Sequence, residues 1–369
     1  MLPPTTRAVF AHYMLGLTLN QTLSQWRHDI TSAKNASIDG FALNIGAGDH
    51  FTLDSLHDAY DVAAEIGNFS LFLSFDFAAG AGPAVKWWNV SSVVALLREF
   101  KGEKAKYAVE GRPLVSTFEG VEFLDGWDAV REEAERGIYF VPLMGIAGQT
   151  SMSTTVDNAY QDALKGKTPD LQTFAKNWYS SSTTLWYDRL EHMLALQPAP
   201  DMVQIISDII PTQVFPGSQH YVDGMDHSAF RTLLPYYIAA YKAGKRDIAL
   251  PETMGDGGAV GWYRTTPDME HCGDGGTVWG QGGTKSTKEG IHDSVNVVVI
   301  TGRKKAVLTV SVGGEKKEFQ IGKRTRELVQ VMLSEFKGMG EVKIGLNGEE
   351  SVGPAIVEVF CCAENGGGR

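Results

Sequence analysis

Polar side chains that can act as acids, bases or hydroxyl ligands follow three apolar runs in the first third of the chain. Asn44 ends the run in DGFALNIG, Asp76 the run in SLFLSFDF and Glu119 the run in PLVSTFEG. A carboxylate can transfer a proton or activate water, and an amide can bind a hydroxyl group. Because side chains at the carboxyl ends of parallel strands converge on the substrate in α/β barrels, these three residues are candidates for one site.

The elements that must position these residues alternate between strand and helix patterns. The three runs begin at Asp39, Ser70 and Pro113, which are 31 and 43 residues apart and leave room for a crossover helix between parallel strands. Apolar residues at helical spacing occupy the intervals, behind the capping candidates Asn20, Thr22 and Ser91. This order predicts an α/β fold, a (β/α)8 barrel of the TIM type.

Later strand patterns extend the predicted barrel. IYFVPLMGI (138–146) is expected to be the fifth strand, MVQIIS (202–207) the penultimate strand and GAVGWYRTTP (258–267) the closing one. A long helix is predicted from Asp226 to Gly244, with a kink at Pro235. Seven of the eight expected strands have a clear pattern, and the sixth does not.

The composition of the chain changes after the barrel region. A Gly-rich stretch (268–293) has no periodicity and is expected to be a linker. After it come six short strand patterns with turn signals such as Asn347-Gly348, which is typical of a small C-terminal β-sandwich. The predicted parts are a barrel over 1–267, the linker over 268–293, the sandwich over 294–363 and a disordered tail over 364–369.

The charge of the chain restricts its class of partner. The 33 Lys and Arg against 44 Asp and Glu give a formal charge of −11, which opposes nucleic acid or an anionic membrane and favours a neutral substrate. No apolar stretch approaches the length of a membrane span, and the sequence as given opens without a signal-peptide pattern. With only three cysteines, the chain is not a disulfide scaffold.

Four N-glycosylation sequons stand in the first quarter of the chain. They are centred on Asn20, Asn35, Asn68 and Asn89, and each has Ser or Thr two positions on with no intervening Pro. The group favours a secreted protein, because such sequons are used on the surface of secreted proteins. The alternative is chance, since sequons arise wherever Asn, Ser and Thr are common.

Segments with a distinctive sequence follow one another from residue 8 to residue 267. They include FAHYMLG (10–16), IDGFALNIG (38–46), LFLSFDF (71–77), RPLVSTFEG (112–120), LWYDRL (185–190) and GWYRTTP (261–267). In this order they resemble glycoside hydrolase family 71, the fungal α-1,3-glucanases or mutanases. The resemblance implies an inverting endo-hydrolase of cell-wall α-1,3-glucan with two catalytic carboxylates and neither metal nor cofactor. It also implies a monomer that is secreted or held in the cell wall, with the glucan as its partner.

The chain departs from the family where the catalytic carboxylates are expected. The family reads Trp-Asn-Asp-Tyr-Gly-Glu-Ser-His-Tyr after the penultimate strand, whereas residues 208–219 here read DIIPTQVFPGSQ, followed by His220 and Tyr221. Aligned from the right, Ser218 replaces the Glu and Phe215 the Asp. Three interpretations stay open: hydrolysis of α-1,3-glucan with an altered segment, a carbohydrate-binding pseudoenzyme that keeps the cleft, or a gene-model error at 208–219.

The predicted site combines acids with sugar-binding groups. Asp76, Glu119 and Asp208 are the candidate catalytic carboxylates, because each lies at the end of a strand pattern. Alternatively, Asp76 caps a loop, and His12 and Asn44 are satisfied polar residues that seal the top of the barrel. The candidate substrate-binding residues are His12, Asn44, Trp87, Trp88, Trp178, His220 and Tyr221.

Overall fold

The structure is a computed structural model of the chain. The residues that it describes are 7–77, 88–118, 120, 123–134, 137–143, 190–191, 194, 202–205, 231–263 and 294–356. They divide into two compact units, of which the first contains the described residues up to 143 together with 202–205, and the second contains the others. Within these ranges, every helix falls short of the length or the apolar character that a bilayer span requires.

The first unit is a mixed α/β structure built on a parallel sheet. Its strands are β1 (Ala8–Met14), β2 (Gly40–Gly46), β3 (Ser70–Asp76), β4 (Ala108–Val109), β5 (Arg112–Phe118), β6 (Tyr139–Leu143) and β7 (Met202–Ile205). Its described α-helices are α1 (Leu23–Asn35), α2 (Thr52–Ile66), α3 (Val90–Glu99) and α4 (Leu124–Glu133). Neighbouring strands in the order β6-β5-β3-β2-β1-β7 are parallel, and β4 pairs antiparallel with β5. The predicted alternation of strands and helices is therefore confirmed for residues 8–143.

Side-chain caps determine where two of these helices begin. Thr22 caps α1: its hydroxyl accepts the N–H of Gln25, and the Gln25 amide oxygen accepts the N–H of Thr22. Asn89 caps α3, since its Oδ1 accepts the N–H of Ser92 at 2.9 Å. The prediction that Ser91 is this cap was wrong, because Asn and Ser are equally good caps and only the contacts distinguish two neighbouring candidates.

The two faces of the parallel sheet bury different side chains. One face, called the Phe10 face below, carries an apolar layer made of Ala8, Phe10, Ala42, Phe72 and Leu114. On the opposite face Tyr13 stacks against Trp26 of α1 and against Phe41, with ring centroids 5.0 and 4.6 Å apart. Because side chains alternate along a strand, His12 lies on the Phe10 face, between the two neighbours that point the other way.

Strand β7 pairs with β1, in register from Ala8–Met202 to Ala11–Ile205. The sequence pattern predicts that this segment is the penultimate strand and that 258–267 closes the barrel. Both parts of that prediction were wrong, because β7 has the place beside β1 that the last strand of a barrel takes, and Gly257–Trp262 pairs antiparallel with Ser294–Thr301 in the second unit. An alternating pattern shows that a segment is extended, but it does not show which strand the segment pairs with.

The second unit contains one described α-helix and two antiparallel sheets. Helix α5 (Leu234–Ala243) has Pro235 in its first turn, where no backbone N–H is needed, so the predicted kink at Pro235 was wrong. The strands are β8 (Gly257–Trp262), β9 (Ser294–Thr301), β10 (Ala306–Val312), β11 (Glu315–Ile321), β12 (Arg326–Met332), β13 (Gly340–Leu346) and β14 (Glu349–Ile356). The sheets have the strand orders β11-β10-β13-β14 and β12-β9-β8.

Both sheets of the second unit contribute to one apolar core. Val297 of β9 and Val331 of β12 are buried in the same cluster as Val310 of β10. Two antiparallel sheets that share a core are what the predicted β-sandwich requires. The predicted turn at Asn347-Gly348 is confirmed: both residues have a positive φ, 55° and 91°, and they join β13 to β14.

Candidate active site

A row of polar side chains lies on the Phe10 face, immediately past its apolar layer. Asn44 of β2, Ser74 of β3 and Ser116 of β5 are register partners, so they project from neighbouring strands at one level. His12 belongs to the same face, since its register partner in β2 is Ala42 of the apolar layer. The direction of the strands places the row toward their carboxyl ends, where parallel α/β proteins build their sites.

Asp76 is the last residue of β3 and lies on the same face as Ser74, two positions further along the strand. Its register partners are Gly46 and Phe118, the last residues of β2 and β5. Asp76 is 7% exposed and Asn44 is 4% exposed. The two side chains therefore lie on one face and at one end of the sheet, as the strand patterns predict, while their roles stay a prediction.

Burial determines the charge of His12. It lowers the pKa of this imidazole to about 4, although the negative charge of Asp76 acts in the opposite direction. Near neutral pH His12 is therefore uncharged, with one nitrogen that donates a hydrogen bond and one that accepts. A neutral imidazole within electrostatic reach of a carboxylate suits the recognition of sugar hydroxyls and the orientation of Asp76.

The lowered pKa of His12 predicts that acid destabilises the protein. An unfolded histidine titrates near 6.5, so between about pH 6.5 and pH 4 the unfolded chain binds a proton that the folded chain excludes. The free energy of unfolding should therefore fall as the pH falls through this window, by up to about 3 kcal/mol from His12. Urea unfolding of the full chain at a series of pH values measures the slope.

Two matched substitutions separate His12 from the other titrating groups. His12→Gln removes the partly buried imidazole and should flatten the slope between pH 6.5 and pH 4. His28→Gln makes the same change at an exposed position on α1 and serves as the control for the substitution itself. Equal slopes in the parent and His12→Gln would contradict the assignment.

Trp88 is held against the end of β3. Its indole N–H donates a hydrogen bond to the main-chain oxygen of Asp76 at 3.0 Å, and its ring meets Phe75 edge-on with centroids 4.9 Å apart. Both contacts fix the orientation of the indole relative to the strand. Trp88 is also one wall of a cavity of about 330 Å³ in the first unit. The cavity is lined by Gly46, Gly48, Asp49, Thr52, Leu53, Trp88, Ser92, Ala95, Leu96 and Glu99.

This cavity combines the groups that bind sugars. Trp88 offers an aromatic face, Thr52 offers a hydroxyl, and Asp49 and Glu99 offer carboxylate oxygens that accept hydrogen bonds. The Ser92 hydroxyl is used in the cap of α3, where it bonds to the backbone of Asn89. The lining of the cavity comes from the end of β2 and the β2–α2 connection, from the first turn of α2, and from α3 between Ser92 and Glu99, the last residue of that helix; Gly46 at the end of β2 is the register partner of Asp76. The cavity is therefore adjacent to the strand end that carries Asp76.

Two polar residues of the row were missed by the sequence analysis. Ser74 is 2% exposed and Ser116 is 6% exposed, and Ser116 Oγ is buried without a hydrogen-bond partner in the described part of the chain. A buried hydroxyl that lacks a partner is available to a ligand or a water molecule. The alternation of side chains along a strand could have revealed both residues, because Ser74 and Ser116 stand two positions before Asp76 and Phe118 and therefore share a face with them.

Six of the predicted site residues lie outside the described residues: Glu119, Asp208, Trp87, Trp178, His220 and Tyr221. Among the residues that are described, no three His, Cys, Asp or Glu side chains are arranged to hold a metal ion. What the described arrangement can do is bind hydroxyl groups and present one carboxylate, Asp76, to them. Glycoside hydrolysis needs a second carboxylate across the same cleft.

Comparison with known proteins gives a consistent set of relatives. The profile of glycosyl hydrolase family 71 matches residues 5–163 and 147–359. A mutanase of Penicillium rubens is 32% identical over 313 residues, which cover 72% of this chain and 67% of that protein. A glucan endo-1,3-α-glucosidase of Schizosaccharomyces pombe is 31% identical over 315 residues, which cover 71% of each protein. Among solved structures, a GH99 endo-α-mannosidase of Bacteroides thetaiotaomicron has a TM-score of 0.43 at 12% identity, covering 64% of this chain and 97% of that chain.

Proposed function

Because this chain belongs to glycosyl hydrolase family 71, we propose that it binds α-1,3-glucan and hydrolyses α-1,3-glucosidic bonds in the interior of that polysaccharide, as the names of its relatives indicate for them. The observation that carries the proposal is the placement of His12, Asn44 and Asp76 on one face of the parallel sheet, toward its carboxyl end. An uncharged imidazole, an amide and a carboxylate suit a neutral polyhydroxylated substrate. The formal charge of −11 agrees with a neutral substrate and opposes nucleic acid.

The proposed reaction is an inverting hydrolysis with two carboxyl groups. One protonates the oxygen of the leaving sugar, and the other removes a proton from a water molecule that attacks the anomeric carbon from the opposite face. Such pairs stand roughly 6.5–9.5 Å apart, which leaves room for the water. Asp76 is our candidate for one role, with Glu119 and Asp208 as candidates for the other. His12 and Asn44 would hold sugar hydroxyls or orient Asp76.

The altered segment 208–219 favours a second function. Because neither carboxylate of the family motif is present there, the chain fits a carbohydrate-binding pseudoenzyme that keeps its cleft but hydrolyses glucan poorly. Substrate recognition by stacking and hydroxyl contacts needs no titrating acid, so it survives the loss of the family pair. Binding and hydrolysis must therefore be measured separately.

We also infer the complete architecture from these observations. The six parallel strands would belong to a (β/α)8 barrel, and β8, which pairs with β9, would belong to the β-sandwich, with the stretch 268–293 as a linker between β8 and β9. The pairing of β7 with β1 supports closure, because the last strand of a barrel lies beside the first. We propose a monomer that is secreted or held in the cell wall.

Trp88 tests the proposed glucan site. Trp88→Ala removes the aromatic wall of the cavity. It should raise the dissociation constant of the full chain for insoluble α-1,3-glucan, measured by co-sedimentation, about tenfold, which corresponds to about 1.4 kcal/mol. Trp88→Phe keeps an aromatic ring but loses the bond to the Asp76 carbonyl, so its binding should fall between that of Trp88→Ala and the parent.

The control polymer is β-1,3-glucan, which has the same sugar and a different linkage. The parent chain should sediment with α-1,3-glucan in preference to it. Failure of the parent to bind α-1,3-glucan would refute the proposed function, and parent-like binding by Trp88→Ala would remove the cavity from the site.

A further inference from the structure

The four sequon asparagines are all exposed on the surface of the first unit. They are Asn20, Asn35, Asn68 and Asn89. Other described asparagines do not share this combination: Asn44 is buried, Asn296 is half-buried, and the exposed Asn347 has no Ser or Thr two positions on. Each sequon asparagine is therefore accessible to a glycosylating enzyme on the folded surface.

The atom that would carry a sugar is available at each position. Asn89 uses Oδ1 to cap α3, and its Nδ2 makes no hydrogen bond among the described residues. The side chains of Asn20, Asn35 and Asn68 make none there either. A substituent on Nδ2 would therefore leave the α3 cap intact and would displace no described contact.

The hydroxyl residues of two sequons have no other evident role. Ser70 is the first residue of β3, and its backbone N–H bonds to Asp39 while its hydroxyl has no partner among the described residues. Ser91 in the first turn of α3 is exposed, and its hydroxyl is likewise unpaired in the described part of the chain. By contrast, Thr22 caps α1, so the presence of its hydroxyl is already explained by the structure.

The four positions lie in pairs at the two ends of the parallel strands. Asn20 and Asn89 precede α1 and α3, on the side of the strand carboxyl ends, and Asn89 adjoins Trp88. Asn35 is the last residue of α1 and Asn68 lies two residues after α2, both on the opposite side. There Lys34 Nζ donates a hydrogen bond to the carbonyl of Gly67 at 2.8 Å, which holds the two turns together.

We propose that Asn20, Asn35, Asn68 and Asn89 carry N-linked glycans. In this transfer Nδ2 bonds to the anomeric carbon of an oligosaccharide, the bond from that carbon to a lipid pyrophosphate carrier breaks, and Nδ2 loses a proton. The co-reactant is thus a lipid-linked oligosaccharide. The inference rests on the secretion part of the proposed function, because that donor is used in the secretory pathway.

Occupancy is measured on the full chain secreted from a yeast host behind the leader of a host protein, so the chain's own targeting is not involved. Enzymatic release of N-glycans in heavy-oxygen water converts each glycosylated Asn to a labelled Asp, which peptide mass spectrometry locates. We expect label at all four positions. An unlabelled position in the secreted chain overturns the assignment for that position, and four unlabelled positions overturn the proposal.

Conservative pairs of variants show that the sequon, and not the local fold, is responsible. Ser70→Thr keeps the hydroxyl and should keep the glycan at Asn68, whereas Ser70→Ala should lose it. Ser91→Thr and Ser91→Ala make the same comparison for Asn89. If a variant is not secreted, translation in the presence of microsomes gives the same readout as a mobility shift without requiring export, and retention of the glycan by either Ala variant would contradict the inference.

Hydrolysis and binding of α-1,3-glucan, measured on the same preparation, keep this inference distinct from the proposed function. A chain that binds glucan but carries no label at the four positions overturns the glycan assignment alone. A chain that is labelled at all four positions but neither binds nor cleaves glucan overturns the proposed function alone.

Discussion

A chain in which Asp208 through Gln219 are replaced by Trp-Asn-Asp-Tyr-Gly-Glu-Ser should release reducing sugar from α-1,3-glucan at least about 100-fold faster than the parent chain. The physical reason is that removal of a general acid or base typically costs about 10²- to 10⁴-fold in rate, and the replacement supplies two carboxyl groups at the family's spacing. The parent, which lacks both, should hydrolyse the polymer barely above background.

A matched control isolates the carboxyl groups from the loop that carries them. The same replacement with Asn for its Asp and Gln for its Glu restores the length and the aromatic residues but no acid, and it should remain as slow as the parent. If the parent itself hydrolyses α-1,3-glucan rapidly, the interpretation of a weakened site is wrong. Asp76, Glu119 and Asp208 would then be the carboxylates to substitute next.

Gly40→Ala should destabilise the protein by more than about 3 kcal/mol, because overpacking a tight site forces backbone to move. Gly40 begins β2, between β1 and β3. A Cβ at this position would lie 1.8 Å from the main-chain oxygen of Ser70 and 2.8 Å from the ring of Phe10. A side-chain rotation cannot relieve an overlap with the backbone of the next strand. Urea unfolding of the full chain measures the loss of stability. If the variant fails to fold, its yield of soluble protein relative to the parent is the measurement.

The control for this substitution is Gly102→Ala. No heavy atom lies within 4 Å of the Cβ that would be added at Gly102, and its backbone conformation is one that other residues adopt. Its free energy of unfolding should therefore stay within about 0.5 kcal/mol of the parent's, the usual range for surface substitutions. Equal stability of the two variants would mean that β2 does not pack as described.

The strands of the first unit could be predicted because each is an apolar run and a helix pattern separates it from the next run. The partner of a strand could not be predicted in this way. Gly257–Trp262 reads as one more barrel strand, yet it pairs with β9 through close approaches that only glycine permits. A Cβ at Gly257 would lie 2.3 Å from the main-chain oxygen of Ile300 in β9, a residue more than 40 positions away. Such contacts leave no local signal in the sequence.

The candidate site was predicted where a polar residue ends an apolar run, as Asn44 and Asp76 do. Ser74 and Ser116 were missed because they stand inside their apolar runs, where a small serine is compatible with a buried strand and does not indicate a site. The anchoring of Trp88 could not be predicted either, since its partner is the main-chain oxygen of Asp76, and main-chain oxygens carry no residue-specific signal. Side-chain chemistry is thus easier to predict than the contacts that orient it.

Asp76 contributes to the site through two separate groups, and this has an evolutionary consequence. Its side chain belongs to the Phe10 face, whereas its carbonyl oxygen anchors the indole of Trp88. Every amino acid has that carbonyl, so a mutation that removes the acid leaves the anchor of the aromatic wall in place. With Asp76 and Trp88 in the roles proposed for them, a lineage would lose cleavage at this position and still bind the polymer, which would give selection a way to turn a degrading enzyme into a wall-binding protein.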